Sequence, residues 1–258
     1  VKKMVSVKEI MTKEPVCVES SDLVTRARSL IRKYGYRALP VLEKGKLVGI
    51  ISRGNILKIT SSKTNISVEG IMNRNLITVS EDDDIFSAAK AIVRSGVRQL
   101  LVVDNGNLKG IISSMDILDK FVKEDYHPVK KKIDEVMTTD VVYCEQDDEI
   151  SKIWDMMHSS GFSGLPVLKN NKIIGIVTRM NILKQGSVRL SKESGKIRNA
   201  PVKRVMMTPA ITVTPATGVK RAAGTMVKRR IIRLPVVDKK KELVGIVDIE
   251  DILRAYVG

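Results

Sequence analysis

The sequence predicts an α/β fold built from four copies of one strand–helix–strand–strand–helix unit. The stretch GIISRGNIL, Gly49 to Leu57, returns as GIISSMDIL from Gly110, GIVTRMNIL from Gly175 and GIVDIEDIL from Gly245. A methionine opens each copy (Met11, Met72, Met137, Met206) and precedes its glycine by 38 residues in three copies and by 39 in the fourth. Interiors of constant length joined by linkers of uneven length mark a repeat. Inside each copy, short apolar runs and helical periodicity alternate in the same order.

The elements follow in turn. A short strand comes first, as in EPVCV and NLITV. An amphipathic helix follows in SSDLVTRARSLIRKYG, EDDDIFSAAKAIVRSG, QDDEISKIWDMMHSSG and TPATGVKRAAGTMVKR. Leu23, Ala27, Leu30 and Ile31 share one face of the first of these, and Gly35, Gly96 and Gly161 punctuate the helix ends. A second strand (ALPVL, QLLVV, GLPVL, RLPVV) leads through turns such as Asn105-Gly106 into LVGII and its cognates, and a second helix closes the copy. One copy is too small to bury both faces of its sheet alone. The expected organisation is therefore pairing of copy 1 (1–60) with copy 2 (61–122), and of copy 3 (123–186) with copy 4 (187–258). The linkers 58–67, 123–132 and 184–201 are polar and uneven, and the boundary between halves is placed near 123–132.

The 258 residues are 43% hydrophobic, 29% charged and only 3% aromatic, a globular composition. No apolar run reaches the roughly 20 residues that span a bilayer, and VKKMVSVKEIM lacks a signal-peptide block, so a soluble cytoplasmic protein is expected. Cys17 and Cys144 lie in apolar runs and read as small buried hydrophobes. With His127 and His158 they give no metal-ligand spacing. No phosphate-binding glycine loop and no nucleophile–base constellation stands out, which disfavours catalysis. The net charge is +16, and residues 184–241 carry 16 Lys and Arg against Glu193 and Asp238 alone. That bias asks for a polyanion or an acidic partner.

Four units with M-(T/N)-x-x near the start, an L-P-V strand and G-I-(I/V)-(S/T)-x-x-(D/N)-I-L at the end resemble cystathionine-β-synthase (CBS) domains. The resemblance covers almost the whole chain. It implies two paired modules, 1–122 and 133–258, assembled as a disc, as in four-domain regulatory γ subunits of AMP-activated protein kinase. It also implies a non-catalytic regulator that binds AMP, ADP, ATP or a related adenosine ligand, with no catalytic cofactor, and signals to a protein or ribonucleoprotein partner.

A helix N-terminus suits a phosphate, because its first amides are unpaired and its dipole end is positive. The resemblance places phosphate contacts at Ser52, Ser113 and Thr178, and ribose contacts at Asn55, Asp116, Asn181 and Asp251. The same residues would equally form helix capping boxes without any ligand. Copy 2 alone has a hydroxyl and a carboxylate together. Copies 1 and 3 have neutral amides, and copy 4 replaces the hydroxyl with Asp248, which is expected to repel phosphate. Arg37, Arg98 and Arg233, just before the L-P-V strand, resemble the family's phosphate-contacting cations, with Arg53 and Arg179 as secondary candidates. A solvated surface role is the alternative for each. The adenine is expected against Pro15, Val16, Tyr36, Ala38, Leu76, Ile77, Val141 and Val142.

The acidic runs Glu81–Asp84 and Asp147–Glu149 read as helix starts, and Trp154, Met156 and Met157 as core and interface filling. A second function class uses Lys203, Arg204, Lys220, Arg221, Lys228, Arg229, Arg230, Lys239, Lys240 and Lys241 to hold RNA, a ribosome or another nucleic acid. No membrane partner is expected, and a homodimer of discs is left open.

Overall fold

The computed structural model describes residues 4–57, 65–184 and 200–258. Linker readings at 58–64, and the basic run within 185–199, lie outside the described residues. The first copy runs β1 (Thr12–Lys13), β2 (Val18–Glu19), α1 (Val24–Tyr34), β3 (Ala38–Glu43), β4 (Lys46–Ser52) and α2 (Arg53–Leu57). The second runs β5 (Thr78–Val79), α3 (Ile85–Ser95), β6 (Gln99–Asp104), β7 (Asn107–Ser113) and α4 (Ser114–Lys123). The third runs β8 (Cys144–Glu145), α5 (Ile150–Ser160), β9 (Gly164–Lys169), β10 (Lys172–Thr178) and α6 (Arg179–Lys184). The fourth runs α7 (Val219–Arg229), β11 (Arg233–Val237), β12 (Leu243–Asp248) and α8 (Ile249–Val257), with Val213 bridging to Val236 where a first strand would lie. First strands are thus shorter than the apolar runs suggest. Cys144 is buried as expected, whereas Cys17, one residue before β2, is only half-buried.

The local causes are those the sequence contains. α3 begins where the Asp84 carboxylate accepts from the amides of Phe86 and Ser87, satisfying donors that have no partner inside the helix. Gly35, Gly96 and Gly161 end α1, α3 and α5 in the left-handed region, a cap that lacks a Cβ penalty. Copy 4 has Arg230 there instead, at φ 55°. The hairpins turn on residue pairs with positive φ, Lys44-Gly45, Asn105-Gly106 and Asn170-Asn171, which match the twist of the flanking strands. Each hairpin carries a bulge at the same place: Val41, Val102, Val167 and Val236 face Gly49, Gly110, Gly175 and Gly245, and the register shifts immediately beyond.

Those glycines receive the opening methionines, and they receive them from another copy. A Cβ on Gly49 would lie 2.5 Å from Met72 Sδ, and one on Gly110 2.7 Å from Met11 Sδ. Gly175 faces Met206, and Gly245 faces Met137, in the same way. Main-chain bonds fix each crossing: β1 pairs with β7, Ile50 exchanges both bonds with Asn73, Thr138 with Ile246, and Ile176 with Met207. Copies 1 and 2 therefore trade their opening segments, as do copies 3 and 4.

Compactness divides the chain otherwise. One unit comprises Val1–Pro15, Leu76–Val141 and Ile211–Gly258, the other Val16–Asn75 and Val142–Ala210. The first holds the bodies of copies 2 and 4, packed through α3, α4, α7 and α8 around Ile92, Phe121, Met226 and Ile252. Phe86, Phe121, Tyr126 and Tyr256 cluster there with ring centroids 4.8–5.5 Å apart. The second unit holds the bodies of copies 1 and 3, and Trp154 of α5 packs against the cores of both. Each fully buried Ile or Phe in these cores contributes roughly 2–3 kcal/mol.

Candidate functional site at the closing helices

Every hairpin delivers its last strand into a closing helix, and the register brings distant candidates together. Ala38 lies opposite Ser52, Gln99 opposite Ser113, Gly164 opposite Thr178 and Arg233 opposite Asp248. The first helical amide of each closing helix donates back to the segment before the L-P-V strand. Arg53 N reaches Arg37 O, Ser114 N reaches Arg98 O, Arg179 N reaches Ser163 O and Ile249 N reaches Ile232 O, at 2.9–3.0 Å. The main chains of Arg37 and Arg98 thus meet the hydroxyl and ribose candidates of their own copies.

The four polar pairs close on one another. Ser113 N and Oγ donate to Asp116 Oδ2 at 2.8 and 2.6 Å, while Asp116 N donates to Ser113 Oγ at 3.2 Å. Ser52 with Asn55 and Thr178 with Asn181 repeat the arrangement. The capping alternative is therefore present in all four copies, worth ~1 kcal/mol each. In copy 2 both bonds fall on Oδ2, and Asp116 Oδ1 takes no hydrogen bond from a described residue.

Copy 4 differs in a way its own sequence does not reveal. Asp248 Oδ1 accepts from the amides of Glu250 and Asp251, and its Oδ2 faces two guanidiniums. Arg98 Nη2, from copy 2, lies at 3.4 Å and Arg233 Nη2 at 3.9 Å. Arg98 Nε donates to Glu250 Oε1 at 2.8 Å. The expected repulsion at Asp248 is thus offset within the first unit by Arg98 and the buried Arg233. Glu250 is the residue that sequence reasoning missed. Burial pushes its carboxyl up, opposed by Arg98. Burial and then Asp248 push Asp251 up to about 6, while the Asp248 amide and Arg254 hold it down.

In the second unit the closing helices start with Arg-Gly in α2 and Arg-Met in α6. Arg53 Nε and Nη2 donate to the carbonyls of Tyr36 and Gly35, and burial lowers its pKa to about 10. Arg179 Nη2 donates to Met157 O at the end of α5. These secondary candidates therefore cap the preceding helices. Gly54, Leu57, Trp154, Met157, His158 and Arg179 line a small recess open to solvent.

The adenine candidates fall in both units: Pro15, Leu76, Ile77 and Val141 in the first, Val16, Tyr36, Ala38 and Val142 in the second. Val16, Ile77 and Val142 occupy one repeat position, two residues before the parallel partners Val18, Val79 and Cys144. Each keeps more than a third of its apolar surface exposed.

Of the basic residues, Lys203 pairs with Asp147 at 2.6 Å and Lys220 with Asp125 at 2.5 Å. Arg221, Lys228, Arg229, Arg230, Lys239, Lys240 and Lys241 are exposed, with no described acid at ion-pair distance. Arg204 is exposed on a 3₁₀ turn, Val202–Arg204. Among the described residues no three His, Cys, Asp or Glu side chains gather as a metal site, and no helix is long and apolar enough to cross a membrane.

The CBS domain family matches the chain four times, at residues 7–62, 68–123, 133–187 and 202–258. Among curated proteins, the uncharacterized MJ1225 of Methanocaldococcus jannaschii is 27% identical, covering 95% of this chain and 96% of its own length. MJ1404 of the same organism, also uncharacterized, is 31% identical and covers 96% of this chain, which in turn spans 61% of that protein. The crystal structure of MJ1225, described as a candidate archaeal homolog of g-AMPK, aligns with a TM-score of 0.86 at 26% identity, over 97% of this chain and 99% of that one. A conserved protein from Pyrococcus horikoshii aligns at 0.71 with 27% identity, over 98% and 100%.

Proposed function

The chain belongs to the CBS-domain family, and on that premise we propose that it is a non-catalytic regulator of adenosine-ligand type. It binds AMP, ADP, ATP or a related adenosine derivative at the starts of the closing helices and passes occupancy to a protein partner. The observation that carries the reading is the convergence in copy 2. A hydroxyl, a carboxylate with one oxygen that takes no hydrogen bond from a described residue, and the main chain of Arg98 meet at the first turn of α4. Asp116 Oδ1 would accept from a ribose hydroxyl while Oδ2 keeps the cap. Ser113 Oγ would turn its proton to a phosphate oxygen. The exposed apolar position shared by Val16, Ile77 and Val142 supports a base-contacting role.

Pairing in chain order, as modules 1–122 and 133–258, is supported by the reciprocal methionine–glycine exchange. Signalling requires that the ligand bind one arrangement of the copies more tightly than another. Calorimetric titration with ATP, ADP, AMP and S-adenosylmethionine tests the reading. Binding by at least one, weakened tenfold or more by Asp116→Ala, is expected. Absence of binding by all four below millimolar concentration rejects it.

A second reading is favoured by one observation: α7 exposes Arg221 and Lys228–Arg230, and the β11–β12 turn exposes Lys239–Lys241 between Asp238 and Glu242, with no described acid at ion-pair distance from these side chains. Backbone phosphates of a structured nucleic acid would fit that charge. Their release of counterions makes such binding fall steeply with salt. Anisotropy of a labelled RNA duplex between 50 and 300 mM salt would show a steep decline under this reading, and a flat or absent response under the first alone.

A further inference from the structure

We propose that Asp248 and Glu250 of the fourth copy are built-in anions that hold the Arg98 guanidinium of the second copy, and so set how much ligand phosphate it accepts. The inference rests on the adenosine-ligand reading and adds a specificity-determining pair to it. Its first ground is position. At the residue that Asp248 occupies, the other copies carry Ser52, Ser113 and Thr178, and where Glu250 stands they carry Gly54, Met115 and Met180. Copy 4 alone adds these two carboxylates at the mouth of its closing helix, beside Asp251, which matches Asp116 of copy 2.

The second ground is geometry. Those carboxylates are not directed to their own helix alone. Glu250 Oε1 takes the Arg98 Nε proton at 2.8 Å, and Asp248 Oδ2 lies 3.4 Å from Arg98 Nη2. The pair spans copies 2 and 4 through the contact of α8 with α3 and α4. Side-chain exposures of 19% for Arg98 and 16% for Glu250 place the pair where solvent screening is weak. Arg98 is the cation that the copy-2 site would offer to a phosphate, and its preferred donor edge is already given to a carboxylate.

Two consequences follow from that competition. A phosphate must displace Glu250 from Arg98, and the displaced carboxylate then lies half-buried beside Asp248 without its Arg98 counter-ion, which is costly. Each added phosphate charge also meets Asp248 and Glu250 directly. An uncharged or cationic adenosine derivative meets neither cost. The first unit therefore selects ligands of low negative charge, and a polyphosphate that does bind moves the start of α8.

The test reads this one site within the intact chain. Protein labelled with ¹⁵N at arginine Nε is titrated with ATP and with adenosine, and the Arg98 Nε–H resonance is identified by its loss in Arg98→Lys. Glu250→Gln removes the competing charge while keeping the side-chain shape. It is expected to tighten ATP binding at this resonance by at least about fivefold, or ~1 kcal/mol, and to leave adenosine within twofold. In the unsubstituted protein, ATP shifts the resonance away from its carboxylate-bonded position and adenosine leaves it in place. This second measurement stands even if the variant folds poorly. Equal ATP affinity at this resonance in the two proteins, or an Arg98 resonance that ATP leaves unmoved in both while calorimetry registers its binding, overturns the proposal with the adenosine reading intact. Absence of calorimetric binding by every adenosine ligand removes that reading, and this inference falls with it.

Discussion

Replacing Gly175 by alanine should unfold the Met206–Thr208 crossing, whereas the same change at Gly49 should be nearly absorbed. A Cβ on Gly175 would stand 2.6 Å from Met207 O, and 3.1 Å from both Met206 Sδ and Thr208 Cγ2. The carbonyl cannot simply step aside, because Met207 O accepts from Ile176 N at 3.0 Å and Met207 N donates to Ile176 O at 2.8 Å. A carbon–oxygen contact relaxes at about 3.3 Å, so the segment must retreat roughly 0.7 Å and strain both bonds. Overpacking of this kind costs roughly 1–3 kcal/mol, and weakening two main-chain bonds adds about 1 kcal/mol. A loss of ~2–4 kcal/mol lowers the melting temperature by about 6–12 °C in a chain of this size. At Gly49 the near atoms are Met72 Sδ at 2.5 Å and Cγ at 3.0 Å, with the Asn73 carbonyl at 3.2 Å. A methionine tip can swing, so Gly49→Ala should cost ~1 kcal/mol. Calorimetric melts of both variants measure the difference. Met72→Ala should recover most of the Gly49→Ala loss, and Met206→Ala should not recover that of Gly175→Ala. Equal losses, or equal rescue by the two methionine truncations, would refute the claim that main-chain approach decides the cost.

Three further outcomes are expected. Asp251 has its native pKa raised to about 6 by burial and by Asp248, so it contributes stability that is present below its unfolded value and lost as pH rises through about 6. Melting temperature should accordingly increase between pH 7.5 and 5, and Asp251→Asn should flatten that slope in the same scans. Arg230→Gly relieves the left-handed residue that ends α7, so it should stabilise by ~1 kcal/mol, read as a higher urea midpoint at unchanged slope. Asp84→Ala removes the acceptor for the Phe86 and Ser87 amides and should cost ~1 kcal/mol by the same measurement.

Periodicity made the four copies, their element order, the glycine helix ends and the hairpin turns readable, because each rests on contacts within about 40 residues. It could not say which copies meet. The constant interval between Met11 and Gly49 suggests that the two serve one body, yet Met11 packs over Gly110, and Met72 over Gly49. A repeat records that every copy needs both features. It is blind to pairing, because exchanging the opening segments of two copies leaves every interval unchanged. Cys17 departs from its expected burial for a related reason. An apolar run such as PVCV looks like a strand, but only Val18 and Glu19 find ladder partners on β3.

The candidate site was legible in its residues and not in its charges. Ser113 and Asp116 carry the same signature whether they cap α4 or hold a ribose, and the geometry gives them a bonding pattern in which the cap uses one carboxylate oxygen and spares the other. Glu250, by contrast, has an ordinary explanation within its own copy, since an acid in a first helical turn suits the dipole. That explanation hides the 2.8 Å bond to Arg98, which lies 152 residues away and reaches it only because α8 packs on α3 and α4. Alignment of the copies therefore predicts Arg98 as a cation awaiting a phosphate, while packing supplies it with a carboxylate. The difference between a site that takes polyphosphates and one that resists them resides in that contact, not in the repeated motif.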